Sequence, residues 1–197
     1  RRRCQCGEHP FPALRRRLLL ARLILGWEST SGPISADQAV RLAAELERLL
    51  DQVQTEQLSF DRLKDLAPET YAEHWQKALD FLKILTEHWP AIVEEQGGID
   101  PAARRNLLLD SLSQMWESAP PRGQIIAAGS TGSIPATANL LATIAAMPNG
   151  RVILPGLLRD VDDASWTAIR QDQTHPQHNL ARLLNRFDIA LHEVDDW

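Results

Sequence analysis

The stretch "GQIIAAGSTGSIPATANLLATIAAMPNGRVILPG", Gly123 to Gly156, has the layout of a ligand site. An apolar run leads into a turn of glycines and hydroxyls, Gly129, Ser130, Thr131, Gly132 and Ser133. A helix-like stretch and a second apolar run follow. In α/β proteins, ligands sit at the C-terminal end of a parallel strand, just before a helix. Backbone N–H groups there can face an anion, helped by the positive end of the helix dipole. Catalysis requires more. A phosphate-binding loop needs the lysine and hydroxyl of G-x-x-x-x-G-K-[ST], and no lysine follows Lys83. A motor's magnesium needs a carboxylate at the strand end, where this chain has Gly129 or Ser130. A serine nucleophile needs a base within hydrogen-bond reach, yet the next histidine, His175, lies in a later loop and no G-x-S-x-G elbow is present. Three readings stay open: a tight connection in which Ser133 caps the helix, contact with an anion or phosphate backbone, and chemistry at a hydroxyl. The first needs the fewest assumptions.

Other reactive residue types are weaker signals. "CQCGEH" (Cys4 to His9) offers two thiols and an imidazole, short of the four well-spaced ligands of a zinc site. "THPQH" places His175 and His178 around a proline turn without a carboxylate beside them, which reads as a solvated or partner-facing loop. "DVDDASW" (Asp160 to Trp166) resembles a metal cluster, but acids at a helix start are explained by capping and the macrodipole. Arg15, Arg16, Arg17 and Arg22 open one helix, and Arg104 and Arg105 lie near the start of another. If they converge they could touch DNA phosphates; solvated helix faces are the simpler reading of each. No residue set predicts a metal site.

The elements that must position these residues fall into two parts, helical over 13–118 and α/β over 123–197, with "APPRG" (Ala119 to Gly123) as punctuation. Ala39, Leu42, Leu46, Leu49 and Val53 form a stripe on a helix over 35–54, capped by Ser35 or Asp37. Tyr71, Trp75, Ala78, Leu82, Leu85 and Trp89 form a second stripe, which Pro90 kinks or ends. Its tryptophans read as core rather than as base-stacking platforms. "SFDRLKDLAP" suggests a brief helix between the two. Asp100 and Pro101 suit the N-cap and first position of a third helix, with Ala103, Leu107, Leu108, Leu112 and Met115 on its apolar side. "QIIAA" and "RVILP" read as buried parallel strands around a helix over 134–147. Two more helices are expected over 162–172 and 177–187.

The 197 residues suffice for one domain or parts of two, and the composition is that of a globular chain. "LLLARLILGW" is too short to span a bilayer and lacks a cleavage site. Two cysteines make no disulfide framework, so the cytoplasm is the expected compartment. The net charge of −5 hides an asymmetry, since residues 1–27 hold seven arginines against one acid. The acidic remainder suits a nucleic-acid role only through a local basic face. The start "RRRCQCGEHPFP", without methionine, and the unfinished end at Trp197 suggest an excerpt.

The phrases "LLLARLIL", "LLDQVQTEQLSFDRLKDL", "AEHWQKALDFLKILTEHWP", "IDPAARRN", "IIAAGSTGSIPATANLLATIA", "VILPGLLRDVDDASW" and "THPQHNLARLLNRF" span most of Leu14 to Ile189. In them the chain resembles the AddB subunit of bacterial AddAB helicase–nucleases, which act in double-strand break repair. Residues 1–12 do not share the resemblance. It implies a helical insertion followed by a partial superfamily-one helicase-like core with a degenerate motor. "AGSTGSIPATANLL" would stand where an active motor carries its magnesium-binding acid. An AddA-type subunit would supply the ATP-driven helicase, and single-stranded DNA would be guided or read within the heterodimer. ATP, magnesium and the iron–sulfur cluster would belong to other parts of the complex, with none in this segment. Two further readings remain: a hydrolase or phosphate-binding enzyme using the Gly129–Ser133 turn, and a stand-alone helical adaptor.

Overall fold

The computed structural model describes residues 9–27, 33–60 and 72–196, without the side chains of residues 72–76. Cys4, Cys6, Tyr71, the Trp75 side chain and most of "SFDRLKDLAP" lie outside the described residues. The chain is mostly helical with two short parallel sheets, a mixed α/β class. It divides into two compact units, residues 1–105 and 106–197. The division falls inside a helix, not at "APPRG". That loop is tied into the second unit by Asn149, whose amide donates to the Pro121 carbonyl at 2.8 Å and to the Gly123 carbonyl.

In the first unit, β1 (His9–Pro10) precedes α1 (Ala13–Gly26) and α2 (Ala36–Thr55). Ser35 closes a capping box with Gln38, accepting from its N–H at 3.3 Å while Gln38 accepts from the Ser35 N–H at 3.1 Å. Ser35→Ala should cost about 1 kcal/mol of stability, measured by urea denaturation. The buried side of α2 is Ala39, Ala43, Leu46, Glu47 and Leu50. The expected stripe is therefore rotated, and Leu42 is 37% exposed. The alanines permit close approach of α1, and Arg17 of α1 pairs with Glu47 at 2.9 Å; that pairing lies outside what periodicity can register.

Helix α3 (Ala72–Lys83) runs through a π turn, Ile84–His88, into α4 (Trp89–Gln96). Pro90 thus does not end the helical path, and the α geometry gives way to the π turn just ahead of it. The Trp89 N–H reaches back five residues to the Ile84 carbonyl, a widened turn just ahead of a residue that removes a donor and crowds the preceding turn. The extra residue changes the phase, so Ile84, Leu85 and Trp89 are buried while Ala78 is exposed. They pack with Leu20, Ile24, Ala39, Ala43, Leu46, Leu50 and Phe11. Phe11 meets Trp89 with ring centroids 5.5 Å apart. β1 pairs in parallel with β2 (Gly98–Ile99), and the Phe11 N–H donates to the Ile99 carbonyl at 3.1 Å. The segment set apart at residues 1–12 therefore contributes, from His9 onward, a strand and a core aromatic.

Helix α5 (Pro101–Ser118) opens after β2 and continues into the second unit. Its buried residues include Ala102, Asn106 and Ser113, whereas Leu108 and Met115 of the expected apolar side are 39% and 53% exposed. Three consecutive leucines, Leu107 to Leu109, span more than half the helix circumference, so no single orientation buries them all. β3 (Ile125–Ala128), α6 (Pro135–Ala146) and β4 (Gly150–Ile153) form the expected strand–helix–strand unit, with Ile125 opposite Gly150 and Ala128 opposite Ile153. The strands are not fully buried, and Ile126 is 49% exposed. Among the described residues the pair forms a sheet of two strands, which leaves surface that a larger sheet would cover. Helices α7 (Asp163–Gln171) and α8 (His178–Phe187) follow. No helix among the described residues is long and apolar enough to cross a membrane.

Candidate functional site

The glycine turn lies between β3 and α6, as its sequence predicts. Gly129 and Gly132 adopt φ of +79° and +62°, the left-handed region that glycine enters without a Cβ penalty. The Gly129 N–H prolongs the strand ladder by donating to the Ile153 carbonyl at 3.2 Å. The Ser130 hydroxyl accepts from the Gly132 N–H at 3.2 Å, a side-chain closure of the turn. Gly132 lies against α8: a Cβ there would come within 2.7 Å of Leu183. Ser133 does not cap α6. The N-cap is Ile134, with Pro135 in the first turn and no side-chain cap. Proline prefers the first helical position, which leaves Ser133 one residue too early.

Beside the turn is a small hollow of about 60 Å³, lined by Gly132, Ser133 and Pro135 and by Asn179, Arg182 and Arg186 of α8. Arg186 donates to the Asn139 side-chain carbonyl of α6. Arg182 and Arg186 belong to no motif that marks them in the sequence. The available signal was their spacing with Asn179 on the polar stripe of α8, opposite buried Leu180, Ala181, Leu183 and Leu184. What sequence does not reveal is that this stripe meets the glycine turn. The lining contains no carboxylate or imidazole, so the Ser133 hydroxyl has no general base within the hollow. Two arginines, an asparagine and the Ser133 hydroxyl form a donor set for an anion. They do not fit magnesium, which requires oxygen acceptors and is held through carboxylates.

The arginines proposed for DNA contact behave differently from one another. Arg15 is exposed, lies 6.0 Å from the Phe11 ring centroid and donates to Gln96. Arg16 does not meet the expectation of an exposed contact: it is 4% exposed, with N–O distances of 2.8 Å to both Asp51 and Asp100. A guanidinium so buried and neutralised does not reach a phosphate. Arg104 is half-buried, and exposed Arg105 donates to the Thr55 hydroxyl at 2.7 Å. All four belong to the first unit, whereas the glycine turn belongs to the second.

Asp100 does more than precede α5. One carboxylate oxygen faces Arg16, and the other accepts from Trp89 Nε1 at 2.9 Å and Gln54 at 2.8 Å. Asp100 stands directly before Pro101 at the head of α5, its carbonyl accepting the Arg104 N–H at 2.8 Å, while its side chain joins α1, α2 and α4.

His175 accepts the Gln177 N–H at 3.1 Å, while His178 is buried with Nδ1 3.3 Å from the Ile169 carbonyl. The expected solvated loop is corrected for His178, whose ring belongs to the packed side of α8. Asp162 caps α7, accepting the Ser165 N–H at 2.7 Å. Hydrogen bonds from Ser165 hold its carboxyl below the ordinary range. Among the described residues no group of three or more histidines, cysteines or acids is placed to hold a metal.

Comparison with family models, curated proteins and solved structures returned no match.

Proposed function

We propose that the chain is a non-catalytic, helicase-like segment of an AddB-type subunit, acting in the cytoplasm in double-strand break repair and recombination. Its role is to scaffold an AddA-type motor and guide or read a DNA strand. The observation that carries this reading is the site at the end of β3. It keeps the strand–turn–helix frame of a ligand site and an anion-binding donor set, without the lysine or carboxylate of a working motor. The quoted AddB-like phrases add the biological setting. ATP, magnesium and the iron–sulfur cluster belong, on this reading, to the rest of the complex.

Co-expression with an AddA-type subunit should yield a stable heterodimer whose unwinding and nuclease rates stay within about twofold on combined Ser130→Ala and Ser133→Ala substitution. Loss of a true nucleophile lowers turnover by orders of magnitude, and that outcome would favour the hydrolase. Failure to co-purify, together with DNA affinity indifferent to salt, would favour the stand-alone adaptor.

A further inference from the structure

We infer that the hollow between the glycine turn and α8 binds one phosphate group, with Arg182 and Arg186 as its principal ligands. The inference deepens the reading of this turn as a non-catalytic contact and rests on it. It assigns recognition to two side chains outside the turn.

The order of residues along α8 creates the site. Leu180, Ala181, Leu183 and Leu184 bury one side, which leaves Asn179, Arg182 and Arg186 on a common polar stripe at spacings of three and four. Packing against the turn brings that stripe beside Gly132 and Ser133. Glycine suits position 132 on two counts: its φ is +62°, and a Cβ there would meet the end of the Leu183 side chain at 2.7 Å. The two arginines are thus placed by the same contact that forms the floor of the hollow.

The charge there departs from its surroundings. Residues 106–197 contain six arginines and ten carboxylates, yet no carboxylate lines the hollow. Arg186 is held by neutral Asn139, which orients it without cancelling its charge. Arg182 is exposed and has no ion pair among the described residues. Planar guanidinium forks match phosphate oxygens and can donate in pairs. The first-turn amides of α6 lack intrahelical acceptors and add a weaker attraction. At about 60 Å³ the hollow is far smaller than pockets that enclose whole small molecules, which suits a single tetrahedral oxyanion with any sugar or base outside. The ligand is therefore either free phosphate or one phosphodiester of a strand crossing α8.

The test is titration of the full chain with a fluorescently labelled oligothymidylate over a range of salt, with inorganic phosphate as competitor. Arg182→Ala and Arg186→Ala should each weaken oligonucleotide binding about tenfold. Each should also shrink the slope of log K against log salt by about 0.7. Arg182→Lys with Arg186→Lys should keep the slope but recover only part of the affinity, because lysine retains charge without the fork. Arg170→Ala, at an exposed position on α7, should leave binding unchanged, and circular dichroism checks that each variant folds. Arginine-dependent oligonucleotide binding without phosphate competition identifies a strand phosphodiester; direct competition identifies free phosphate as well. Oligonucleotide binding unaffected by the double alanine variant overturns this site while leaving the nucleic-acid reading standing. Absence of both oligonucleotide and phosphate binding also overturns it, and heterodimer formation then judges the AddB reading separately.

Discussion

Arg16→Met should lower the unfolding free energy of the chain by about 3–5 kcal/mol, the range for removing one partner of a buried ion pair. Arg16 and Asp100 are each 4% exposed and 2.8 Å apart. Taking both charges out of water is costly, and their attraction offsets that cost only while the remaining valences are filled. Asp51 faces the guanidinium, and Trp89 and Gln54 donate to the carboxylate. Methionine retains much of the side chain's packing volume but leaves Asp100 charged without its cation. Adding Asp100→Asn should restore part of the loss, because the amide oxygen still accepts from Trp89 and Gln54 while the unpaired charge is gone. Urea denaturation of wild type, both single variants and the double variant measures this coupling. A change below about 0.5 kcal/mol for Arg16→Met, the size of a surface substitution, would refute the buried role and return Arg16 to the candidates for DNA contact.

Gly150→Ala should be at least as severe, with a loss of about 4 kcal/mol or more. A Cβ there would lie 1.8 Å from the Ile144 carbonyl oxygen and 3.2 Å from the Met147 Cβ. The obstacle is backbone at the end of α6, so no side-chain rotation relieves it. β4 must shift, and its Ile153 carbonyl would then lose the hydrogen bond from Gly129 that anchors the glycine turn. The damage therefore passes from packing to the phosphate hollow. Gly123→Ala is the control: a Cβ there meets nothing within 4 Å, and the change should stay within about 0.5 kcal/mol. Thermal unfolding and hydrogen exchange of β3 and β4 compare the two variants. Equal behaviour would show that the close approach of β4 to α6 is not required.

Ser35 and Asp162 show what local sequence decides well. Each side chain satisfies an N–H three residues onward, and such bonds require only a helix start to exist. The strand–helix–strand order around the glycine turn follows equally from the apolar runs and the punctuation between them. The notable local failure is Ser133, where Pro135 sets the helix start one residue later. Pro90 is a related case, since the π turn that accommodates it changes which residues face the core without altering the apolar pattern.

What sequence alone determined is the mixed helical and α/β composition, most helix positions, and a glycine turn lacking the residues of a motor. These depend on interactions within a few positions of one another. Tertiary structure alone decided that Arg16 is a buried ion-pair residue, that Asp100 joins Arg16, Gln54 and Trp89, and that Arg182 and Arg186 meet a turn about fifty residues earlier. The physical reason is that a charged residue's role depends on its distance to distant partners and on its loss of water. Neither quantity is encoded in the spacing of neighbours along the chain.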